Sequence, residues 1–304
     1  MLTWVIGAGG LFGSALVRAS EHCFTGPAIP WSDPTAALTA LTRTLDDFSD
    51  KAEDNWCIAW AAGRVTTASP QADADQELEF FTEFIQHLRD NPPPGRGVFL
   101  LTSSAGGIYA GSTPAPLTSD SSVAPLGTYG NLKRAQEVIA GELAPEIPVV
   151  TARVSNLYGP GQDLRKLQGV ISRLALAAVT REPITMFVPL DTMRDYLYAD
   201  DAAIRALHWA QQSQACATSS IRVVASGQPV TLGHVIALMN DITRVRIPIA
   251  SGVHDSARAQ ARDLRLTPDA DAFTQRLELT SLPAGMKRVF LDIRQRHADA
   301  TLSA

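Results

Sequence analysis

The chain opens on a short apolar run that enters a glycine-rich turn at once: Val5-Ile6-Gly7-Ala8-Gly9-Gly10-Leu11-Phe12-Gly13. A buried strand at 2–6 feeding this turn, with a helix leaving it at 13–19, is the opening of a βαβ unit and commits the adjoining strands to a parallel sheet. The glycines also carry a chemical expectation. A pyrophosphate needs backbone N–H groups at the positive end of a helix dipole, with no Cβ in the way. Gly7, Gly10 and Gly13 provide that in a G-x-x-G-x-x-G spacing, Gly9 adds a further bare position, and Leu11 and Phe12 belong to the same candidate site.

Apolar runs and amphipathic stretches then alternate. Strands are predicted at 28–31, 56–61, 97–101 and 149–154, and a stunted one at 44–47. Between them helices are expected at 36–45, 75–90 and 129–143. The helix at 75–90 carries Leu78, Phe81, Phe84, Ile85 and Leu88 on one side, and the triple proline 92–94 ends it. This is the pattern of an α/β, Rossmann-type doubly wound parallel sheet. Beyond residue 155 the rhythm changes: a helix at 167–180, an extended piece at 196–198, a helix at 201–212, a strand at 221–225 and a late helix at 282–295. The expected organisation is a dinucleotide-binding domain over 1–155, with returning segments near 195–225, and a smaller substrate-binding lobe from 156–194 and 226–304.

Composition narrows the function. The 304 residues carry a net charge of −5 and no Lys/Arg stripe, so no nucleic-acid partner is expected. Cys23, Cys57 and Cys216 are odd in number and far apart, and no histidine lies at ligand spacing from them. Neither a disulfide framework nor a metal site is expected, and a reducing cytoplasm is the natural compartment. The first apolar run is too short for a signal peptide, and the later one at 174–179 is too short to span a membrane, so a soluble protein is expected.

The middle of the chain proposes a reaction. Ser104, in LLTSSAGGIYA, lies 25 residues before Tyr129-Gly-Asn-Leu-Lys133. Tyr129 and Lys133 share a helix face at i, i+4. A phenol is a poor base at neutral pH, but a neighbouring ammonium and a cationic nicotinamide both favour its ionised form. A serine hydroxyl would hydrogen-bond the substrate oxygen as charge develops there. For the adenosine ribose, Asp33 is the only carboxylate near the end of the predicted second strand, with Ser32 beside it. No Arg or Lys lies between Ala19 and Thr42, which favours NAD over NADP without excluding the latter. Asp33 also precedes Pro34 and is equally suited to cap a helix.

With these motifs the sequence resembles the extended short-chain dehydrogenase/reductases, the NAD-dependent epimerase/dehydratase family. Trp56-Cys-Ile-Ala-Trp-Ala61-Ala62-Gly63 resembles the family's fourth strand, whose small residues face the cofactor. Arg153-Val-Ser-Asn156-Leu-Tyr158-Gly-Pro-Gly161 resembles its R-x-x-N-x-Y-G-P segment, and Arg194-Asp195-Tyr196-Leu-Tyr198-Ala-Asp200-Asp201 its R-D-[YF]-[IL]-x-V-x-D motif. The resemblance implies a catalytic set of Ser104, Tyr129 and Lys133, with NAD at the glycine turn, Ala61, Ala62 and Gly63. It implies a nucleotide-sugar substrate held by Asn156 and by Arg194 at the diphosphate, with a second arginine, Arg258 or Arg262, from the C-terminal part. It also implies a homodimer through the helices at 75–90 and 129–143.

Asp200 and Asp201 are expected as helix caps, Asp195 as an acceptor for backbone groups, and Tyr158 as a packing residue. The spacing to Tyr129 favours Ser104 over Ser103. Family members that eliminate water carry an Asp-Glu pair just after the catalytic Ser/Thr, and here Ala105-Gly106-Gly107-Ile108-Tyr109 contains no acid. The expected activity is therefore C4 epimerisation, with 4-keto-sugar reduction as the alternative. A reductase of non-sugar carbonyls and a non-catalytic nucleotide sensor are the remaining competitors.

Overall fold

A computed structural model describes residues 1–164 and 169–302. The first half runs β1 (Leu2–Ile6), α1 (Leu11–Ala19), β2 (His22–Phe24), α2 (Pro34–Ser49), β3 (Asn55–Trp60), α3 (Gln71–Asp90), β4 (Arg96–Ser104), the short α4 (Ala105–Ile108), α5 (Gly127–Gly141) and β5 (Val149–Val154). The second half runs β6 (Asn156–Tyr158), α6 (Val170–Thr180), β7 (Ile184–Met186), β8 (Met193–Arg194), β9 (Tyr196–Tyr198), α7 (Ala199–Cys216), β10 (Ser220–Val224), β11 (Val230–Thr231), α8 (Leu232–Thr243), β12 (Ile249–Ser251), α9 (Ala272–Arg276) and α10 (Leu282–Leu302). Six strands form one parallel sheet in the order β10-β5-β4-β3-β1-β2.

Each face of that sheet is dry. On one, Trp4, Phe24, Leu41, Phe48, Trp56, Phe81 and Phe84 join the strands to α2 and α3. On the other, Leu16, Ala59, Leu100, Val150, Ala202 and Ala206 join them to α1 and α7. The small residues of α7 let it lie close along the sheet, whereas the opposite face is filled with rings. Phe48, fully buried, sits 5.7 Å from the Trp4 ring, 5.3 Å from Phe24 and 6.3 Å from Trp56. A separate core, with Leu174, Met186, Tyr196, Val235, Met239, Met286 and Val289, gathers α6, α8 and α10.

Three expectations fail for identifiable reasons. The second strand is His22–Phe24, not 28–31, and its residues pair with Leu2, Thr3 and Trp4. Pro27 and Pro30 frame the predicted segment and cannot donate to a ladder. Residues 44–47 lie inside α2, because Ala37, Leu41, Thr44, Leu45 and Phe48 continue one buried helical stripe. Asp200 and Asp201 are not caps. They stand in the first turn of α7, where negative charge suits the dipole; Asp200 pairs with Arg18, and Asp201 accepts from the Thr280 amide at 2.7 Å. The helix expected over 167–180 is Val170–Thr180; positions 167 and 168 lie outside the described residues.

Asp195 is fully buried, and its carboxylate accepts from the amides of Ser226 (2.8 Å) and Gly227 (2.7 Å) and from the Ser226 hydroxyl. Among the described residues no helix is long and apolar enough to cross a membrane. The ring cluster gives a direct test of the packing. Phe48→Ala is expected to lower stability by about 3–5 kcal/mol, read as a lower urea midpoint at an unchanged slope.

Candidate active site

A cleft of about 960 Å³ runs along the C-terminal ends of the sheet strands, between the sheet and the α6–α8–α10 core. At its cofactor end the glycines divide into two kinds. Gly7, at φ +92°, has no room for a side chain: a Cβ there would stand 2.6 Å from the Ala62 nitrogen. A Cβ at Gly13 would stand 2.1 Å from the Gly7 oxygen. These two hold the turn against its neighbours, and Gly13 is buried outside the cleft wall. Gly9 has open space around it and, with Gly7, Gly10, Leu11 and Phe12, lines the cleft at the start of α1. This bare cradle at a helix N-terminus fits a pyrophosphate.

Ala61, Ala62 and Gly63 line the same end, where β3 runs out. The loop behind them is held by Glu77 of α3, whose carboxylate accepts from the amides of Arg64 (2.7 Å) and Val65 (3.0 Å). Of the two uses expected for Asp33, the structure shows the helix cap. Asp33 caps α2, accepting from the Ala36 amide at 3.0 Å, and neither it nor Ser32 lines the cleft. Pro34 at the first helical turn makes a cap there the natural use of an aspartate. Trp31, Pro34 and Ala37 form that wall, and the guanidinium of Arg64 donates to the Trp31 carbonyl (3.2 Å) beside them. Sequence reading missed Arg64 because it searched for a cation only between β1 and α2.

The predicted reactive residues are brought together. Strand alternation separates the two serines. Ser103, 1% exposed, donates its hydroxyl to Glu137 at 2.6 Å, whereas the Ser104 oxygen stands at the head of α4 and accepts from the Gly107 amide at 3.1 Å. Ser104, Tyr129 and Lys133 line one stretch of the cleft. The Lys133 ammonium lies 6.0 Å from the centre of the Tyr129 ring, donates to the Gln136 side-chain oxygen (2.9 Å) and contacts the Thr102 carbonyl (3.4 Å). The Tyr129 ring packs on Gly107, where a Cβ would come within 3.1 Å of it.

At the far end Asn156 donates to the Asp195 carbonyl (3.0 Å) and lines the cleft. Arg194, 9% exposed, donates to the carbonyls of Met193 (2.8 Å) and Ala261 (2.7 Å). Burial holds its pKa below the usual guanidinium value, and among the described residues no carboxylate pairs with it. Beside it Tyr196 is pushed up to about 12 by burial. Thr192 and Ser155 each line the cleft with a buried hydroxyl that has no hydrogen-bond partner. The distal arginines are corrected. Arg262 pairs with Asp191 and Arg258 with Asp255, both on the exposed surface outside the cleft wall, and the residues of that segment that line the cleft are Ala259, Gln260 and Ala261. Tyr158 packs edge-on against Tyr198 at 5.6 Å, and burial raises its pKa.

A parallel six-stranded sheet with a glycine cradle at its first turn defines a Rossmann-type nucleotide-binding protein. Within that class the chain belongs to the NAD-dependent epimerase/dehydratase family, whose model its residues 39–224 match. The cofactor of this family is NAD. The chain is 30% identical over 120 residues to the dTDP-4-dehydro-6-deoxyglucose reductase of Escherichia coli, a match covering 39% of this chain and 37% of that protein. It is 31% identical over 99 residues to the dTDP-L-rhamnose 4-epimerase of Burkholderia thailandensis, covering 31% and 27%. The matches thus span well under half of these relatives. A UDP-glucose 4-epimerase structure from Thermotoga maritima, 18% identical, covers 98% of this chain and 100% of its own with a TM-score of 0.76, so the two share a fold.

The two kinds of glycine are separable by experiment. Gly13→Ala is expected to lower the melting temperature and abolish NAD binding together. Gly9→Ala is expected to keep the wild-type melting temperature while weakening NAD binding about 10-fold, read by quenching of intrinsic tryptophan fluorescence.

Proposed function

We propose that this protein moves hydride at C4 of a nucleotide-activated hexose and is a 4-epimerase. The observation that carries the reading is the buried, acid-free guanidinium of Arg194 in the same cleft as Ser104, Tyr129 and Lys133. A cation in that state is poised for an anion that arrives with the substrate, and a planar fork suits a diphosphate. With Arg194 holding the diphosphate and Asn156 the adjoining part of the substrate, the sugar extends toward Ser104 and Tyr129.

Gly9, Gly10 and the head of α1, with Ala61–Gly63, would hold NAD, which when bound would supply hydride acceptance from C4 and its return. Tyr129 takes the proton of the C4 hydroxyl at its phenol oxygen and gives it back after the keto-sugar has turned over. The Lys133 ammonium stands beside that phenol and stabilises the charge that develops there, and Ser104 donates a hydrogen bond to O4. The 105–109 stretch offers no acid or base to C5 and C6, which argues against water elimination. The α6–α8–α10 core, built from 156–194 and 226–304, forms the substrate lobe in this reading, and 1–155 with 195–225 the cofactor domain.

The similarity to a reductase supports a second reading, in which the same residues act once and NAD(P)H is consumed. A non-sugar ketone gives Arg194 nothing to bind. By the same family pattern, two copies pair through α3 and α5, where Val138 is exposed on the outer face of α5; light scattering of the purified protein tests this. Three free cysteines are in keeping with a reducing cytoplasm.

The deciding experiment is analysis of small molecules released on denaturation, followed by incubation with UDP-, GDP- and dTDP-hexoses. Released NAD⁺ and a C4-inverted product without added cofactor support the epimerase; turnover only with added NAD(P)H on a 4-keto sugar overturns it in favour of the reductase. Tyr129→Phe is expected to lower kcat by about 10²–10⁴-fold with NAD still bound. Arg194→Ala is expected to raise KM by about 10–100-fold with a smaller change in kcat.

A further inference from the structure

Lys133 is 8% exposed, so its ammonium must find acceptors inside the protein. Both acceptors it has are neutral: the Gln136 side-chain oxygen and the Thr102 carbonyl. Gln136 is itself fully buried, and its amide orientation is dictated from both sides. Its oxygen faces the ammonium at 2.9 Å, and its NH₂ points to the Glu77 carboxylate at 3.5 Å. Glu77 in turn holds the amides of Arg64 and Val65, in the loop beside the cofactor cradle. A line of contacts therefore runs from the ammonium through Gln136 to the loop after β3.

We propose that Gln136 is a positioning residue for Lys133, fixing the ammonium on a neutral acceptor so that its charge stays uncancelled beside Tyr129. The inference rests on the reading of Tyr129 and Lys133 as the acid/base pair. Gln136 stands three residues after Lys133, one turn further along α5, so its side chain reaches the ammonium without displacing the Tyr129 face. A glutamate at 136 has the same shape, but it would exchange the donor that faces Glu77 for a second carboxylate and would neutralise the ammonium. Bonded to the ammonium, that carboxylate would offset the positive charge that stands 6.0 Å from the centre of the Tyr129 ring.

The other charges around this group are accounted for. From α3 come Glu77, held by backbone amides, and Asp73 on the cleft wall. From α5 and β5 come Glu137 and Arg153, which neutralise one another, with Arg134 on the outer side of Glu137. From the loop after β3 comes Arg64. The facing residues of β4 and α4, Thr102 to Ile108, carry no charge.

The test titrates the NAD-bound protein at 295 nm, where tyrosinate absorbs, and needs no substrate. Subtracting the Tyr129→Phe curve isolates one phenol among five tyrosines, of which Tyr109, Tyr158 and Tyr196 are raised by burial. In Gln136→Glu the midpoint of this difference is expected about one pH unit higher than in wild type. The acidic limb of the rate profile should move with it. Gln136→Leu, which removes the acceptor and adds no charge, should leave the midpoint within half a unit and weaken NAD binding about 10-fold. Coincident midpoints in wild type and Gln136→Glu overturn the inference, as does Gln136→Leu with wild-type NAD affinity. Failure to turn over any nucleotide sugar overturns the epimerase reading instead, and the titration still decides the role of Gln136.

Discussion

A buried ion pair holds the working parts of this protein in register. Arg153 donates from Nε to Glu137 Oε1 at 2.9 Å and from Nη2 to Oε2 at 2.7 Å, with both side chains 2% exposed. Its remaining nitrogen donates to the Tyr109 hydroxyl at 2.7 Å, which in turn donates a hydrogen bond to the Thr118 carbonyl at 2.7 Å. Ser103 completes the acceptor side of Glu137. Charges buried this deeply are tolerable only when well hydrogen-bonded, and here every guanidinium nitrogen and both carboxylate oxygens are engaged. The pair joins β5 to α5, and through Ser103 it also grips β4. Glu137 lies four residues beyond Lys133 and eight beyond Tyr129, so the rotation of α5 that seats the carboxylate also aims the phenol and the ammonium.

The cleft depends on a second tether of the same kind at its other end. Asp195 is neighbour to Arg194 in sequence and spends its carboxylate on the 226–227 turn. It thereby pins the strand that carries the guanidinium to the end of β10. The carbonyl of Asp195 receives both the backbone and side-chain donors of Asn156. The end that carries Ser104, Tyr129 and Lys133 and the end that carries Arg194 are thus each referenced to the central sheet, and the distance between them is a property of the sheet and not of the loops.

Much of this was legible in the sequence. The glycine turn, the buried strands β3, β4 and β5 and the helices α3 and α5 announce themselves through apolar runs and period-3.6 stripes. So does the meeting of Ser104, Tyr129 and Lys133, because parallel α/β topology brings strand ends and the following helices to one edge. What escaped has common physical causes. His22–Phe24 is three residues long and shows no alternation, so the stronger apolar content of Ile29 and Trp31 drew attention to the wrong segment. Asp33 had two plausible uses, and Pro34 decided for the cap. Arg258 and Arg262 have the right charge in the right region, but each pairs with a local aspartate, and the segment between them, Ala259 to Ala261, is what lines the cleft. Arg64, Glu77 and Gln136 carry no motif. Their roles exist only where α3, α5 and the loop after β3 converge.

Gly107 and Gly130 let α5 settle onto the head of α4. The Tyr129 ring rests on Gly107, and the backbones approach so closely that a Cβ at 130 would stand 2.6 Å from the Gly107 oxygen. A side chain at either position would lift α5 away from β4, and with it Tyr129 and Lys133. Gly106 is different: a Cβ there meets only ordinary contacts, at 3.6 Å and beyond. Glycines gathered at one contact are thus under opposite constraints, two barred from change by sterics and one open to variation on the cleft wall.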